Sequence, residues 1–283
     1  MKIFETVPAT RAYAGSQSEK QRTLGFVPTM GALHEGHLSL VRRAASENDC
    51  VAVSIFVNPV QFNNSDDLRK YPRNLPADFS LLKPLLREDD FIFAPSVEEM
   101  YPHPETHVYD FGDLASVMEG RFRPGHFNGV GVVVNKLLRI VRPDTAYFGE
   151  KDFQQLAIIR RLTEIEQLPV KIVSCEIIRE ADGLAMSSRN ARLTPAHRRI
   201  APAIFQALTR AAGKFPAAGP GELRKFITET LNETGLLTVE YVEFADEITL
   251  APLNSWWESE NIRCFVAVQA GDVRLIDNLR FSN

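Results

Sequence analysis

Phe26-Val27-Pro28-Thr29-Met30-Gly31-Ala32-Leu33-His34-Glu35-Gly36-His37-Leu38 is the stretch that organises this chain. Thr23 to Val27 is apolar and strand-like, and Pro28 predicts its end. Gly31 marks a short turn, and the helix that follows carries His34, Gly36 and His37 in its first turn. A strand feeding a helix N-terminus suits an anion, because free backbone N–H groups and the positive end of the helix dipole both face it. His34 and His37 are three residues apart and share a helix face. Gly36, between them, has no side chain to block a ligand. The pattern points to nucleotide phosphates beside two imidazoles. Two other readings stay open at this point. The histidines also suit a metal pair, although no third ligand follows at a familiar spacing and the helix is not His-Glu-x-x-His. They also suit an ordinary protein surface. A dinucleotide fingerprint is absent, since no Gly-x-Gly-x-x-Gly follows the strand.

Outward from this stretch, strand and helix patterns alternate through about the first 180 residues. Cys50 to Val57 is continuously apolar, as a strand buried on both faces should be, and His37 to Asn48 between the two strands is helical in pattern. A helix is predicted over Leu75 to Arg87 and a short strand at Phe91 to Phe93. Val130, Val133, Val134, Leu137, Leu138 and Val141 fall at helical spacing despite their branched side chains. Strands follow at Thr145 to Phe148 and Val170 to Ile178, with a helix from Asp152 to about Gln167 between them. Such alternation implies a Rossmann-like, doubly wound parallel sheet of the α/β class. Its ligands are expected at the carboxyl ends of the strands. The last hundred or so residues read differently, with helices over Pro195 to Lys214 and Glu222 to Asn232. Three strand-like runs come next: Thr238 to Ala245, Ile262 to Ala270 and Val273 to Ile276, the last two joined by a turn at Gly271. We expect two domains, 1–177 and a smaller C-terminal α+β domain at 178–283.

Composition narrows the function classes. The 283 residues are 45% hydrophobic and 24% charged, which suits a soluble globular protein. A net charge of −4 argues against a broad nucleic-acid surface. Cys50, Cys175 and Cys264 are scattered and odd in number, so they read as reduced thiols and not as a disulfide framework. No stretch has signal-peptide or membrane-spanning character. A cytoplasmic protein without membrane or nucleic-acid partners is expected.

Further polar residues gather at the predicted strand ends. Asn58 and Gln61, in Val57-Asn-Pro-Val-Gln-Phe62, suit a substrate with hydroxyl, amide or carboxylate groups, though Asn-Pro alone also makes turns. The polar loop 63–73 has the length of a lid. Asp78 is either a carboxylate facing magnesium or part of a solvated helix face. Arg123 and His126 stand just before the Val-rich helix, where cations oppose the dipole, so a held anion explains them as well as an exposed loop does. Gly149 allows close backbone approach, Lys151 supplies a point charge, Asp152 suits a cap or a ribose hydroxyl, and Gln155 lies a turn further in. Met186-Ser187-Ser188-Arg189-Asn190 offers hydroxyls and a guanidinium in a loop at the domain junction.

Taken together, these motifs resemble the pantothenate synthetases, the family that joins pantoate to β-alanine using ATP. The resemblance runs through Pro28 to His37, Phe56 to Phe62, Tyr71 to Arg73, Arg123 to Phe127, Phe148 to Gln155, Met186 to Asn190 and Leu275-Ile-Asp-Asn278, so it spans nearly the whole chain. His34-Glu-Gly-His37 is similar to the His-Ile-Gly-His signature of class I aminoacyl-tRNA synthetases and related nucleotidyltransferases, and Met186 to Arg189 to their Lys-Met-Ser-Lys-Ser loop. An adenylyltransferase of that superfamily is the alternative. The resemblance implies ATP and Mg2+, a pantoyl adenylate and a homodimer. It implies ATP contacts from Met30, Gly31, Ala32, Leu33, His34, Glu35, Gly36 and His37, from Gly149, Glu150, Lys151 and Asp152, and from Ile178, Met186, Ser187, Ser188 and Arg189. His37, His34 and Lys151 are its catalytic residues; Gln61, Gln155, Asn58, Arg123 and His126 are its substrate-binding residues. It names no protein ligand for the metal.

Overall fold

The computed structural model describes residues 1–282. The chain divides into two compact units, one of Met1–Phe111, Arg123–Glu150 and Gln155–Glu176, the other of Gly112–Phe122, Lys151–Gln154 and everything described from Ile177 onward.

The first unit is built on a six-stranded sheet of β1 (Lys2–Phe4), β2 (Leu24–Thr29), β3 (Cys50–Ile55), β4 (Phe91–Phe93), β5 (Thr145–Gly149) and β6 (Lys171–Cys175). Spatial order is β1-β4-β3-β2-β5-β6, and every pairing is parallel. This is the expected doubly wound α/β arrangement. From β2 the chain winds outward to β3 and β4, then returns to β5 on the other side. The switch point, where such sheets bind ligands, therefore lies outside the tips of β2 and β5. All of β3 is buried, as its unbroken apolar sequence requires. The Val-rich segment is the helix His126–Val141, apolar around most of its circumference and almost wholly buried.

Several boundaries differ from expectation, each for a physical reason. Pro28 does not end β2, which runs on to Thr29. The carbonyls of Thr23 and Thr29 face β3, bonding the amides of Cys50 and Phe56, whereas that of Leu24 bonds Asp144 on the β5 side. By alternation Pro28 turns its missing N–H toward β5, where pairing has already stopped at Phe26. The helix predicted over Leu75 to Arg87 stops at Leu82, just ahead of Pro84. Loop 63–73 contains a short helix, Ser65–Lys70, capped by Asn64, with acidic residues in its first turn and basic residues in its last.

The second unit carries an antiparallel sheet, β7 (Thr238–Asp246), β8 (Ile262–Ala270) and β9 (Val273–Phe281), in that order. Helices Ala203–Ala212 and Pro220–Asn232 bury Ile204, Leu208, Leu223 and Ile227 against Phe244, Val266, Val268 and Phe281 of the strands. The predicted helix Pro195 to Lys214 is broken in two at Pro202, and β9 is longer than its apolar pattern suggested. The polar residues Asp277 and Asn278 interrupt that pattern, yet both are buried.

Candidate active site

Beyond the tip of β2, Gly31 (φ +74°) and Ala32 (φ +50°) both adopt the left-handed conformation. Such a turn is unfavourable for Ala32 and needs an external restraint. Asp78 provides it: one carboxylate oxygen accepts from the Leu33 amide at 2.7 Å and the other from Ala32 at 3.1 Å. A side chain on Gly31 would meet that same carboxylate at 2.8 Å. Asp78 is only 2% exposed. It therefore belongs neither to a solvated helix face nor to a site open to magnesium. Thr29 completes the turn, its hydroxyl donating to the Ser54 carbonyl and accepting from the Gly31 amide.

The two histidines cap the next helix reciprocally. His34 is the N-cap residue of Glu35–Glu47, and its Nδ1 accepts from the Gly36 amide at 3.2 Å. His37 Nδ1 accepts from the His34 amide at 3.3 Å, and the rings lie 4.1 Å apart. The His37 amide donates to the His34 carbonyl. The amides of His34, Gly36 and His37 are thus engaged locally. What the cap leaves is a defined tautomer: with Nδ1 accepting on each neutral ring, the hydrogen sits on Nε2.

At the tip of β3, Gln61 is fixed from several directions. Its Nε2 reaches the Met30 sulfur at 3.2 Å, its Oε1 accepts from Asn58 Nδ2 at 3.1 Å, and its carbonyl accepts from His126 Nδ1 at 2.9 Å. Gly129 packs so closely on this turn that a Cβ there would lie 2.6 Å from the Val60 carbonyl oxygen and 2.7 Å from Gln61 Cα. Asn58 has no capacity left for a ligand. Its amide donates to Gln61 and to the Gly129 carbonyl, while its oxygen accepts from Tyr101 and the Val60 amide. Burial pushes the Tyr101 phenol up, keeping it a donor. Asn58, expected to bind substrate, instead supports Gln61, and His126, expected in the same role, holds the Gln61 carbonyl through Nδ1. Arg123 is half-buried, and its carbonyl accepts from the His126 amide.

At the tip of β5, the space beside Gly149 is open to 4 Å. Consecutive glutamines in the next helix behave differently. Gln154 is buried, donating to the carbonyls of Leu114 and Val117 and accepting from the Glu119 amide. Gln155 is half-buried, and its side-chain amide has no hydrogen-bond partner among the described residues. Lys151 is mostly shielded, with Asp152 3.9 Å from its ammonium.

In the second unit, residues 178–186 form a tight hairpin about Gly183, with Arg179 bridging to Ala185. The Met186 amide donates to the Ile178 carbonyl at 3.0 Å, so two of the expected ATP segments are neighbours. Ser187 caps the short helix Ser188–Arg192 through the Arg189 amide. Asn190 ties the loop to Glu180 and the Ala185 carbonyl. Among the described residues, no cluster of three or more His, Cys, Asp or Glu is placed to hold a metal ion, and no helix is long and apolar enough to cross a membrane.

A parallel sheet with its polar residues gathered at the switch point is the architecture of α/β enzymes that bind small ligands and nucleotides at strand tips. The family model described as pantoate-beta-alanine ligase matches residues 2–280. The chain belongs to that family. It is 47% identical over 283 residues to a pantothenate synthetase of Porphyromonas gingivalis, covering all of both chains. The crystal structure of pantothenate synthetase from Thermus thermophilus superposes with a TM-score of 0.92 at 40% identity, again over all of both chains. A pantoate-beta-alanine ligase from Francisella tularensis, complexed with beta-gamma ATP and beta-alanine, superposes with a TM-score of 0.81 at 38% identity, covering 99% of this chain and 97% of that one.

The sequence motifs did not single out Asp78 or Gly129 as positioning residues. For Asp78 the available signal was an acidic residue in a mostly apolar helix, Leu75–Leu82. For Gly129 it was a glycine inside a helix, where glycine is unfavourable without a packing reason.

Proposed function

We propose that this protein condenses pantoate with β-alanine through a pantoyl adenylate, releasing pyrophosphate and then AMP. The observation that carries this reading is end-to-end agreement with its relatives, from residue 2 to residue 280. In the first step a carboxylate oxygen of pantoate attacks the α-phosphorus of ATP, and pyrophosphate leaves. In the second, the amine of β-alanine attacks the acyl carbon, and AMP departs with the bridging oxygen. Neither step needs an enzyme nucleophile, and all three cysteines are buried. Positioning and neutralisation of phosphate charge carry the catalysis.

The residue roles we assign combine the family resemblance with the local geometry. His34 and His37, with hydrogens on Nε2, donate to phosphate oxygens, and Lys151 adds a point charge. Met30 to His37, Gly149 to Asp152, Ile178 and Met186 to Arg189 are assigned to ATP. Gln155, with its uncommitted amide, and Gln61, held by Met30, Asn58 and His126, take the hydroxyl and carboxylate of pantoate. Arg123 contributes charge near the substrate carboxylate. Residues 1–177 are assigned to ATP and pantoate, and residues 178–283 to a lid domain. Magnesium belongs with the triphosphate, as a hard cation with few protein ligands. No side chain here is assigned to it, since Asp78 is committed to two amides. Family resemblance extends the proposal to a cytoplasmic homodimer.

The test is AMP release from MgATP and pantoate with and without β-alanine. AMP that appears only with both substrates supports the ligase. Pyrophosphate without AMP, whatever the amine, would instead favour an adenylyltransferase.

A further inference from the structure

Leu275-Ile276-Asp277-Asn278 is a sequence motif with no role in the reaction as described so far. It lies on β9 of the second unit, and its two polar residues are 4% and 2% exposed. Polar side chains so deeply buried need defined partners. Those of Asp277 and Asn278 lead to two different segments of the proposed ATP site.

Asp277 accepts from Arg179 in a two-pronged ion pair, Nη1 at 2.6 Å on one oxygen and Nη2 at 2.9 Å on the other. The same guanidinium donates to the Gly183 carbonyl at 3.1 Å and lies 3.8 Å over the Phe205 ring. Arg179 is therefore locked, and it belongs to the 178–186 hairpin whose exit is Met186 to Arg189. Asn278 turns to the other segment. Its Oδ1 accepts from Arg263 Nη1 at 2.6 Å, which orients the amide so that Nδ2 donates to the Lys151 carbonyl at 3.1 Å. Arg263 is itself fixed, paired with Glu247 at 2.7 Å and lying 4.1 Å over the ring of Phe153, two residues after Lys151.

We propose that Asp277 and Asn278 are positioning residues for ATP: neighbouring side chains on one strand set the backbone of Lys151 and the base of the Met186–Arg189 loop in a common register. The inference rests on the assignment of those segments to ATP. The lysine ammonium rides on a flexible stem, so its reach is set by where its backbone is held. A displacement of about 1 Å in a phosphate-neutralising group is enough to cost orders of magnitude in rate.

Asn278→Asp is the informative substitution. It keeps the oxygen that Arg263 needs and replaces the donor facing the Lys151 carbonyl with a second oxygen, which repels it. Arg179→Lys keeps the charge beside Asp277 and removes the two-pronged grip. Binding of β,γ-methylene-ATP and of pantoate is measured separately by calorimetry for each variant, alongside pyrophosphate release. Both variants should bind the nucleotide about tenfold more weakly, with pantoate affinity within about twofold of wild type. Wild-type nucleotide affinity in both would overturn the proposal. Equal losses for nucleotide and pantoate would also overturn it, because they mark general damage. If Asn278→Asp does not fold, Arg179→Lys decides by the same criteria. Wild-type protein that binds the nucleotide but releases no pyrophosphate with pantoate would refute the ligase reading and leave the positioning result to stand on binding. No nucleotide binding by the wild type would end both.

Discussion

Replacing Asp78 with alanine should loosen the turn between β2 and the histidine-capped helix. Asp78 is buried, and its two oxygens hold the amides of Ala32 and Leu33 at 3.1 and 2.7 Å. Each amide left without a partner costs about 1–3 kcal/mol. Ala32 is held at φ +50°, a conformation that costs an L-residue roughly 1–2 kcal/mol. Part of that strain is relieved when the turn lets go, so the net loss should be about 3–5 kcal/mol. For a chain of this size that lowers Tm by roughly 5–8 °C. Asp78→Asn should lose about half as much, since its amide oxygen still takes one donor while its NH2 group faces the other. Thermal unfolding followed by circular dichroism, with KM for ATP determined on the same preparations, reads both consequences. The KM for ATP should rise in both variants, more in the alanine variant. A Tm within about 2 °C of wild type and an unchanged KM would refute the claim that this carboxylate holds the turn.

Three further outcomes follow from the site. Lys151→Ala should slow pyrophosphate release about 100-fold or more, because a phosphate charge loses its counter-ion; near-wild-type release in a stopped-flow assay would remove Lys151 from the phosphates. Gln155→Ala should raise KM for pantoate about tenfold with little change for ATP, the amide being uncommitted within the protein; equal changes in both constants would contradict that role. Burial pushes the Cys50 thiol up from 9.0 to about 11, with Asp90 adding to the effect. The folded thiol holds its proton where the unfolded one releases it, so this contribution is intact below pH 9 and is lost as pH rises toward 11. Urea unfolding of Cys50→Ala should therefore show a shallower loss of stability between those values, by about 2 kcal/mol or less; identical slopes would count against it.

Much of the architecture is legible in local patterning, because a strand buried on both faces is a continuous apolar run and a helix buried on most sides carries apolar residues at helical spacing. Cys50–Ile55 and His126–Val141 are such elements. The boundaries that differ depend on neighbours. Pro28 remains in a strand only because pairing with β5 stops before it, which no local rule contains. At the site, motif spacing indicates which segments matter but not which atoms are already engaged. Gln154 and Gln155 are alike in sequence, and their contrast arises because Gln154 alone meets Leu114, Val117 and Glu119. Asn58 and His126 belong to recognisable motifs, but their hydrogen bonds converge on Gln61. Asp277 and Asn278 are polar residues in a strand, and two of their partners, Arg179 and Lys151, lie 98 and 127 positions away in the chain.

The oxygen that leaves with AMP tests the adenylate route most directly. Pantoate labelled with 18O in its carboxylate, incubated with the protein, MgATP and β-alanine, should yield AMP carrying one 18O atom per molecule by mass spectrometry, since the attacking oxygen becomes the bridge that AMP retains. Unlabelled AMP formed together with the amide product would show that no pantoyl adenylate lies on the path, and would contradict the mechanism.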